Sequence, residues 1–359
     1  MTPQFNKLKV KDVRRETADA VSVTFDIPAD LAPHYKFSPG GYLTLQHTIE
    51  GDDVRRCYSI SSGLDDGEVR VAIKKVANGR FSNFANDELK PGMELEVMTP
   101  MGGFMGPIEP ERAKNYLGFA AGSGITPIMS IMRTILLREP NSTFTLFYGN
   151  RDTNSIIFRE SLDDLKDLFL ERLSVFHILS REATDVALFS GRLDVEKLRE
   201  FAGVFFDPNT VDHAFLCGPG EMISGLKSIM VNLGLPENKI HEERFTPSED
   251  DRALSKSNIR AVPVEGGAEI VAVLDGTARQ FKMDGSDASI IDAAHRNGIE
   301  LPFSCKGGMC CTCRAKLVEG DVSMTLNYSL EPWEIEAGFV LTCQSRPTTS
   351  KVVVDFDHL

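Results

Sequence analysis

Five of the seven cysteines crowd the last sixty residues: Cys305, Cys310, Cys311, Cys313 and Cys343. Cys305, Cys310 and Cys313 are spaced C-x4-C-x2-C, and Cys343 follows thirty residues later. This is the plant-type [2Fe–2S] spacing, in which one wrapping loop and one distant residue bring four thiolates to two irons. Gly307 and Gly308 let the loop backbone approach and point its N–H groups at the sulfurs. Cys311 falls between ligand positions and is a bystander. The alternative, structural zinc in a nucleotide-binding sensor module, normally uses two C-x2-C pairs, and only one is present.

A second candidate is Gly122-Ser-Gly124-Ile-Thr126-Pro127, which follows an apolar strand and opens a helix. Glycines there admit a pyrophosphate to the backbone, and the helix start adds N–H donors and a positive dipole end. Thr126 is expected as the N-cap, with Pro127 at the first helical position. Cys217-Gly218-Pro219 ends a later strand of the same sheet, where Cys217 either packs or lies beside a nicotinamide ring. Ser180, Arg181 and Arg192 offer a hydroxyl and two guanidinium groups for a 2′-phosphate, hence NADPH. The competing reading makes both arginines solvated loop charges.

The chemistry now makes a demand. A nicotinamide gives two electrons together, whereas a [2Fe–2S] cluster takes one at a time, and a flavin reconciles the two. Arg56, Tyr58 and Ser59 can clamp a pyrophosphate, pack on a ring and reach its edge. Gly79 and Ser82 add phosphate donors at a helix start. Taken alone, Arg-x-Tyr-Ser is equally an exposed strand.

These residues need elements to hold them. Val21–Asp26, Tyr42–Gln46, Val69–Lys74 and Leu95–Met98 are short strands broken by Gly and Pro turns, the pattern of an antiparallel barrel. From Tyr116 strands alternate with helices: Tyr116–Ala120, Pro127–Leu137, Phe144–Tyr148, Glu160–Leu170, Ser174–Leu179 and Ala214–Cys217. That alternation predicts a parallel sheet with helices on both faces. A polar stretch from Thr246 to Asn258 reads as a linker. Strands Glu269–Leu274 and Ala278–Met283, a helix near Ser289–Asn297 and a terminal strand Lys351–Asp355 frame the cysteine loop.

The whole chain has 359 residues, 42% hydrophobic and 25% charged, which is ordinary for a globular protein of two or three domains. A net charge of −13 disfavours nucleic acid and anionic membrane surfaces. No apolar run approaches the ~20 residues of a membrane helix. The opening residues lack a signal-peptide pattern. A cytoplasmic location, where thiols stay reduced, is therefore expected.

In order along the chain stand Arg56-Cys-Tyr58-Ser59, Gly79-x-x-Ser82, Gly122-Ser-Gly-Ile-Thr-Pro127, Cys217-Gly-Pro219, His241-x-Glu243-Arg244-Phe245 and the cysteine loop. This order resembles the ferredoxin–NADP reductase superfamily, in the branch with a C-terminal plant-type ferredoxin domain. Asn327-Tyr-Ser-Leu-Glu-Pro332 and Val352-Val-Val-Asp-Phe-Asp357 resemble the reductase subunits of phenylacetyl-CoA epoxidases within it. The resemblance implies an antiparallel β-barrel FAD domain (1–108), an α/β parallel-sheet NAD(P) domain (109–246), a linker (247–261) and a β-grasp [2Fe–2S] domain (262–359). It further implies electron delivery from NADPH through FAD and the cluster to a di-iron oxygenase; other aromatic, alkene or steroid oxygenases are the alternative partners. By position, Arg56, Tyr58, Ser59, Gly79 and Ser82 would contact FAD, and Gly122, Gly124 and Thr126 the nicotinamide nucleotide. Cys305, Cys310, Cys313 and Cys343 would bind the cluster. Phe245 would cover the flavin or, on the plainer reading, belong to the core.

Overall fold

The structure is a computed structural model that describes residues 4–245, 266–330 and 332–358. The expected linker, 247–261, lies outside the described residues. The chain divides into two compact units, the first spanning Phe5–Phe245.

Six strands open the first unit: β1 (Phe5–Thr17), β2 (Ala20–Asp26), β3 (Tyr42–Ile49), β4 (Asp52–Ser59), β5 (Val69–Lys74) and β6 (Glu94–Met98). They form one antiparallel sheet in the order β4-β3-β6-β1-β2-β5. Just beyond β4 the sheet closes on itself, because Ile60 bridges Val71 and Ser61 N–H bonds to Arg70 O at 2.8 Å. Leu8, Val10, Val23, Leu43, Leu45, Val71 and Val97 fill the interior. β1 and β4 escape a reading by strand propensity because charged residues occupy their outward positions. Helix α1 (Arg80–Asp87) buries Phe81 and Phe84 in the same core. The β3–β4 hairpin turns through Glu50 and Gly51, both at positive φ, the two-residue geometry that matches strand twist.

The second layer of this unit is a parallel sheet of β7 (Asn115–Ala121), β8 (Thr143–Asn150), β9 (Leu173–Leu179), β10 (His213–Cys217) and β11 (Ile240–Glu243), ordered β11-β10-β7-β8-β9. Its strands are apolar on both faces, as burial on both sides requires. Tyr116, Phe144, Tyr148 and Phe215 meet α2 (Ile125–Arg138) and α3 (Arg159–Leu168). Leu117, Phe119, Phe147 and Leu216 face the other way, toward α4 (Val195–Phe201) and α5 (Gly220–Asn232). Polar contacts fasten α2 to the barrel: Ser130 Oγ donates to Ser62 O at 2.7 Å, and Arg133 bonds Asp66 through two nitrogens at 2.7 and 2.9 Å.

The C-terminal unit is a β-grasp. Strands β12 (Ala268–Leu274), β13 (Thr277–Met283), β14 (Arg314–Glu319), β16 (Phe339–Leu341) and β18 (Lys351–Asp355) form a mixed sheet ordered β13-β12-β18-β14-β16. β15 (Val322–Met324) and β17 (Ser345–Pro347) pair separately. Helix α6 (Ile290–Arg296) begins at Ser289, whose hydroxyl accepts from Asp292 N, and buries Ile290, Ile291, Ala293 and Ala294. A short helix, α7 (Pro332–Glu336), precedes β16. The terminal run Val352–Asp357 has two tasks: Val352 and Val354 enter the core, and the Asp357 carboxylate accepts from Asp275 N and Gly276 N at the β12–β13 turn.

Candidate cofactor sites

A buried polar contact joins the end of a barrel strand to the end of a parallel-sheet strand. The Ser59 hydroxyl, at the end of β4, donates to Glu243 Oε1 at 3.0 Å. Glu243 ends β11 and sits in register with Cys217, which ends β10. Burial pushes the Glu243 carboxyl up to about 8, against which the Ser59 bond works only partly. Its second oxygen, Oε2, is buried and has no protein partner. Burial, then the nearby Glu243, drives the Cys217 thiol far above its ordinary range, so it is no nucleophile here. An orphaned acceptor at the carboxyl ends of parallel strands marks a place for a ligand.

Two turns adjoin this junction and touch each other through backbone. A Cβ on Gly124 would lie 2.1 Å from Cys217 O, and one on Gly218 would lie 2.6 Å from Met222 Cε and 3.1 Å from Ala121 Cβ. No side chain fits at Gly124. Gly122 adopts φ of 54°, and its carbonyl accepts from Tyr148 OH at 2.9 Å. The expectation for Thr126 is corrected. Helix α2 starts at Ile125 with Gly124 as N-cap, because a 3₁₀ turn over Gly122–Gly124 winds the chain early. Thr126 is buried, and its hydroxyl donates to Ser123 O at 3.0 Å, which shapes the turn. The first-turn N–H groups of α2 lack intrahelical acceptors, as at any helix start. With the glycine cradle, this suits a phosphate.

On the barrel side, Tyr58 lies against Phe81, with ring centroids 5.7 Å apart, and its hydroxyl is held un-ionised by burial. Arg56 is exposed, and its guanidinium donates to the Arg55 carbonyl at 2.6 Å. Gly79 caps α1, and a Cβ there would meet Ser82 Oγ at 2.5 Å. The Ser82 hydroxyl is engaged, accepting from Val76 N and donating to Gly79 O, both at 3.1 Å. What Ser82 has left to offer an anion is its backbone N–H at the start of α1.

Ser180, Arg181 and Arg192 come together at the carboxyl end of β9, because Leu179 bridges Ser190 in parallel and Gly191 N–H bonds to Leu179 O at 2.8 Å. Ser180 Oγ donates to Asn150 O at 3.2 Å. Both arginines are exposed, and among the described residues neither has an ion-pair partner. Phe245, 40% exposed, directly follows the Glu243-Arg244 pair.

In the C-terminal unit the four expected ligand cysteines form two sulfur pairs. Cys310 hydrogen-bonds the Cys305 thiol and raises it; the Cys313 thiol bonds to Cys343, raising Cys313 and lowering Cys343. Donors already face the sulfurs: Gly307 N to Cys305 Sγ at 3.3 Å, Thr312 Oγ1 to Cys310 Sγ at 3.3 Å and Gln344 Nε2 to Cys343 Sγ at 3.5 Å. Cys311 turns elsewhere, its thiol donating to Ser329 O at 3.2 Å. Tyr328 N and Ser329 Oγ both donate to Gly308 O, so the 327–330 run braces the cysteine loop.

The chain matches three family models: an oxidoreductase FAD-binding domain over residues 7–105, an oxidoreductase NAD-binding domain over 119–228 and a 2Fe-2S iron-sulfur cluster binding domain over 272–348. It is 45% identical, over 98% of both chains, to a 1,2-phenylacetyl-CoA epoxidase subunit from Escherichia coli (strain K12). The chain belongs to the ferredoxin–NADP reductase superfamily. Within it, the ferredoxin reductase component of a 3-ketosteroid-9-alpha-monooxygenase from Mycolicibacterium smegmatis is 34% identical over 98% of this chain and 97% of that one. Phthalate dioxygenase reductase, a solved structure, shares the fold with a TM-score of 0.58 at 22% identity over 98% of each chain. This protein is thus an NAD(P)H-dependent oxidoreductase that uses FAD and a [2Fe–2S] cluster and serves an oxygenase. Among the described residues no helix is long and apolar enough to cross a membrane.

Glu243 is the residue that reading the sequence for chemistry passes over. It appears there only inside the His241–Phe245 motif, and its importance comes from its register beside Cys217 and its reach to Ser59. A carboxylate ending a short strand that follows an apolar helix is the signal that could have found it.

Proposed function

We propose that this protein takes electrons from NADPH and hands them, through FAD and its cluster, to the di-iron oxygenase component of a phenylacetyl-CoA epoxidase. The observation that carries the reading is the 45% identity to the Escherichia coli epoxidase protein, spread over 98% of both chains. FAD held here would supply the conversion between the two-electron chemistry of a nicotinamide and the one-electron chemistry of a [2Fe–2S] cluster.

The chain's own part is holding and positioning. Arg56, Tyr58, Ser59, Gly79 and Ser82 would hold FAD, with Ser82 acting through its backbone N–H. Gly122, Gly124, Thr126, Cys217 and Gly218 would shape the nicotinamide nucleotide site. Ser180, Arg181 and Arg192 would hold the 2′-phosphate that distinguishes NADPH, and Phe245 would shield the flavin. Glu243, un-ionised below about 8, would keep net negative charge away from the redox junction. Cys305, Cys310, Cys313 and Cys343 would carry the cluster. The domain limits 1–108, 109–246 and 262–359 and a cytoplasmic location complete the reading.

Anaerobic titration with NADPH, and separately with NADH, tests the electron path by visible absorption. Bleaching of flavin and cluster bands at low NADPH is expected. The absence of a flavin band would overturn the reading of the barrel, and preference for NADH would retire the two arginines. Turnover with the purified oxygenase component of phenylacetyl-CoA epoxidase tests the partner.

A further inference from the structure

The side chain of Gln344 spans the gap between the last of the four cysteines and the loop that carries the other three. Its amide nitrogen donates to Lys306 O at 2.9 Å and to Cys343 Sγ at 3.5 Å. Both partners are acceptors, so the NH₂ end of the amide, with its two donors, is the end that must face them. The Gln344 backbone is itself fixed: its N–H donates to Leu341 O at 2.8 Å, and its carbonyl accepts from Thr325 N at 2.9 Å.

The loop is shaped to receive this side chain. A Cβ on Gly308 would touch Gln344 Cγ at 3.4 Å and press on Leu326 O at 2.9 Å, so the glutamine stem packs where the loop carries no side chain. Lys306, whose carbonyl Gln344 meets, has φ of 49°, a conformation that residues other than glycine adopt at a cost. Its ammonium is held by Asp292 at 2.8 Å and lies 4.7 Å from the centre of the Phe303 ring. Of the side-chain donors to the cysteine sulfurs, Thr312 serves Cys310 and Gln344 serves Cys343.

We propose that Gln344 is a positioning residue that raises the reduction potential of the cluster and so favours its acceptance of electrons from FAD. The inference rests on the reading above that Cys305, Cys310, Cys313 and Cys343 are the ligands. One electron enters the cluster, and no covalent bond is made or broken. The added charge falls partly on the sulfurs, and an N–H donor aimed at one of them stabilises the reduced form more than the oxidised. Gln344 is half-buried, and a hydrogen bond shielded from water is electrostatically stronger than an exposed one.

The test uses the full-length holoprotein as wild type, Gln344→Leu, Gln344→Glu and Gln344→Lys. Leucine keeps much of the bulk without donors, glutamate replaces the donors by a charged acceptor, and lysine keeps donors and adds positive charge. Two quantities are read: cluster content, from iron analysis and visible absorption, and the cluster's midpoint potential, from mediated titration with dithionite followed by electron paramagnetic resonance. Gln344→Leu is expected to lower the ratio of reduced to oxidised cluster at a fixed potential about tenfold, which for one electron is about 59 mV. Gln344→Glu should fall at least as far, and Gln344→Lys should stand at or above the wild type. A residue that only braced the loop would alter cluster content without ordering the potentials by charge. Wild-type potentials in Gln344→Leu and Gln344→Glu, with the cluster in place, overturn the inference, and so does a potential below wild type in Gln344→Lys. If the first two variants assemble no cluster, Gln344→Lys alone decides by the same criterion. A wild-type protein without cluster absorption overturns the ligand reading itself, and the inference with it.

Discussion

Ser59 and Glu243, 184 residues apart, are joined by a 3.0 Å hydrogen bond that ties the end of a barrel strand to the end of a parallel-sheet strand. The two layers that would hold flavin and nicotinamide are thereby referenced to a single buried carboxyl. Removing the hydroxyl leaves that carboxyl without its protein donor, and a buried polar group stripped of its partner costs about 1–3 kcal/mol. Ser59→Ala should lower the stability of the first unit by that amount in urea unfolding, with the barrel and sheet otherwise intact. A variant as stable as the wild type would show that the bond contributes nothing net.

The same carboxyl gives a signed pH dependence. Its folded pKa, about 8, lies above the ordinary carboxyl value, so the folded state binds the proton more tightly. That stabilisation is complete below about 4.5 and is lost as pH rises toward 8. The neutral His213–His241 pair, whose nitrogens are 3.0 Å apart, acts in the opposite direction. Burial, then His213, pulls His241 down to about 4, so its contribution holds above about 6.5 and is lost on acidification through 4. Thermal unfolding of Glu243→Gln should show a flatter profile from pH 6.5 to 8 than the wild type and a steeper one from 4.5 to 6.5, where the His241 contribution is no longer opposed.

Gly124 is a position where the fold admits nothing larger than hydrogen. Its Cβ would lie 2.1 Å from a backbone oxygen that cannot rotate away. Gly124→Ala should cost about 1–3 kcal/mol and weaken NADP⁺ binding at least tenfold, while flavin content stays near that of the wild type. Calorimetric titration and flavin absorbance separate these two effects.

Arg181 and Arg192 make a prediction about cofactor choice. A charge-assisted hydrogen bond to phosphate contributes about 1.5–3 kcal/mol. Each arginine changed to alanine should raise the KM for NADPH roughly tenfold or more and leave that for NADH within twofold. Equal effects on both nucleotides would mean that the guanidinium groups meet the shared part of the cofactor.

Cys311 and Cys310 are neighbours with opposite expected behaviour. Cys311→Ser should retain the visible absorption of the cluster, because its thiol faces Ser329 O. Cys310→Ala should lose the cluster bands and keep the flavin bands. Loss of the cluster from Cys311→Ser would move the ligand set by one residue.

Much of this architecture was legible in residue order. The alternation of β7, α2 and β8 is carried by apolar strands and an apolar helix, and the cysteine spacing reflects the coordination number of two irons. The glycines at 122 and 124 announce a turn that needs a positive φ at the first and leaves no room for a side chain at the second. Three things were not legible. β1 and β4 are masked by the charges on their outer faces, and the role of Glu243 exists only once β10 and β11 lie side by side. The start of α2 was misjudged because Thr126 has the chemistry of a cap, while the 3₁₀ turn before it had already brought the chain into helical geometry. Ser82 shows the converse: a hydroxyl that suits phosphate is spent on Val76 and Gly79.

β18, the last of the described strands in chain order, takes a central place in the C-terminal sheet, parallel to β12 on one side and antiparallel to β14 on the other. Until it arrives, the β13–β12 hairpin and the β14–β16 pair are two separate fragments, and the loop bearing Cys305, Cys310 and Cys313 has no finished scaffold. The N-terminal unit faces no such delay. Synthesis therefore imposes a maturation order in which the nucleotide-binding half can be complete while the iron–sulfur half is still open. A nascent chain stalled before β18 would be a flavoprotein in waiting, and premature delivery of iron would find thiols without a frame.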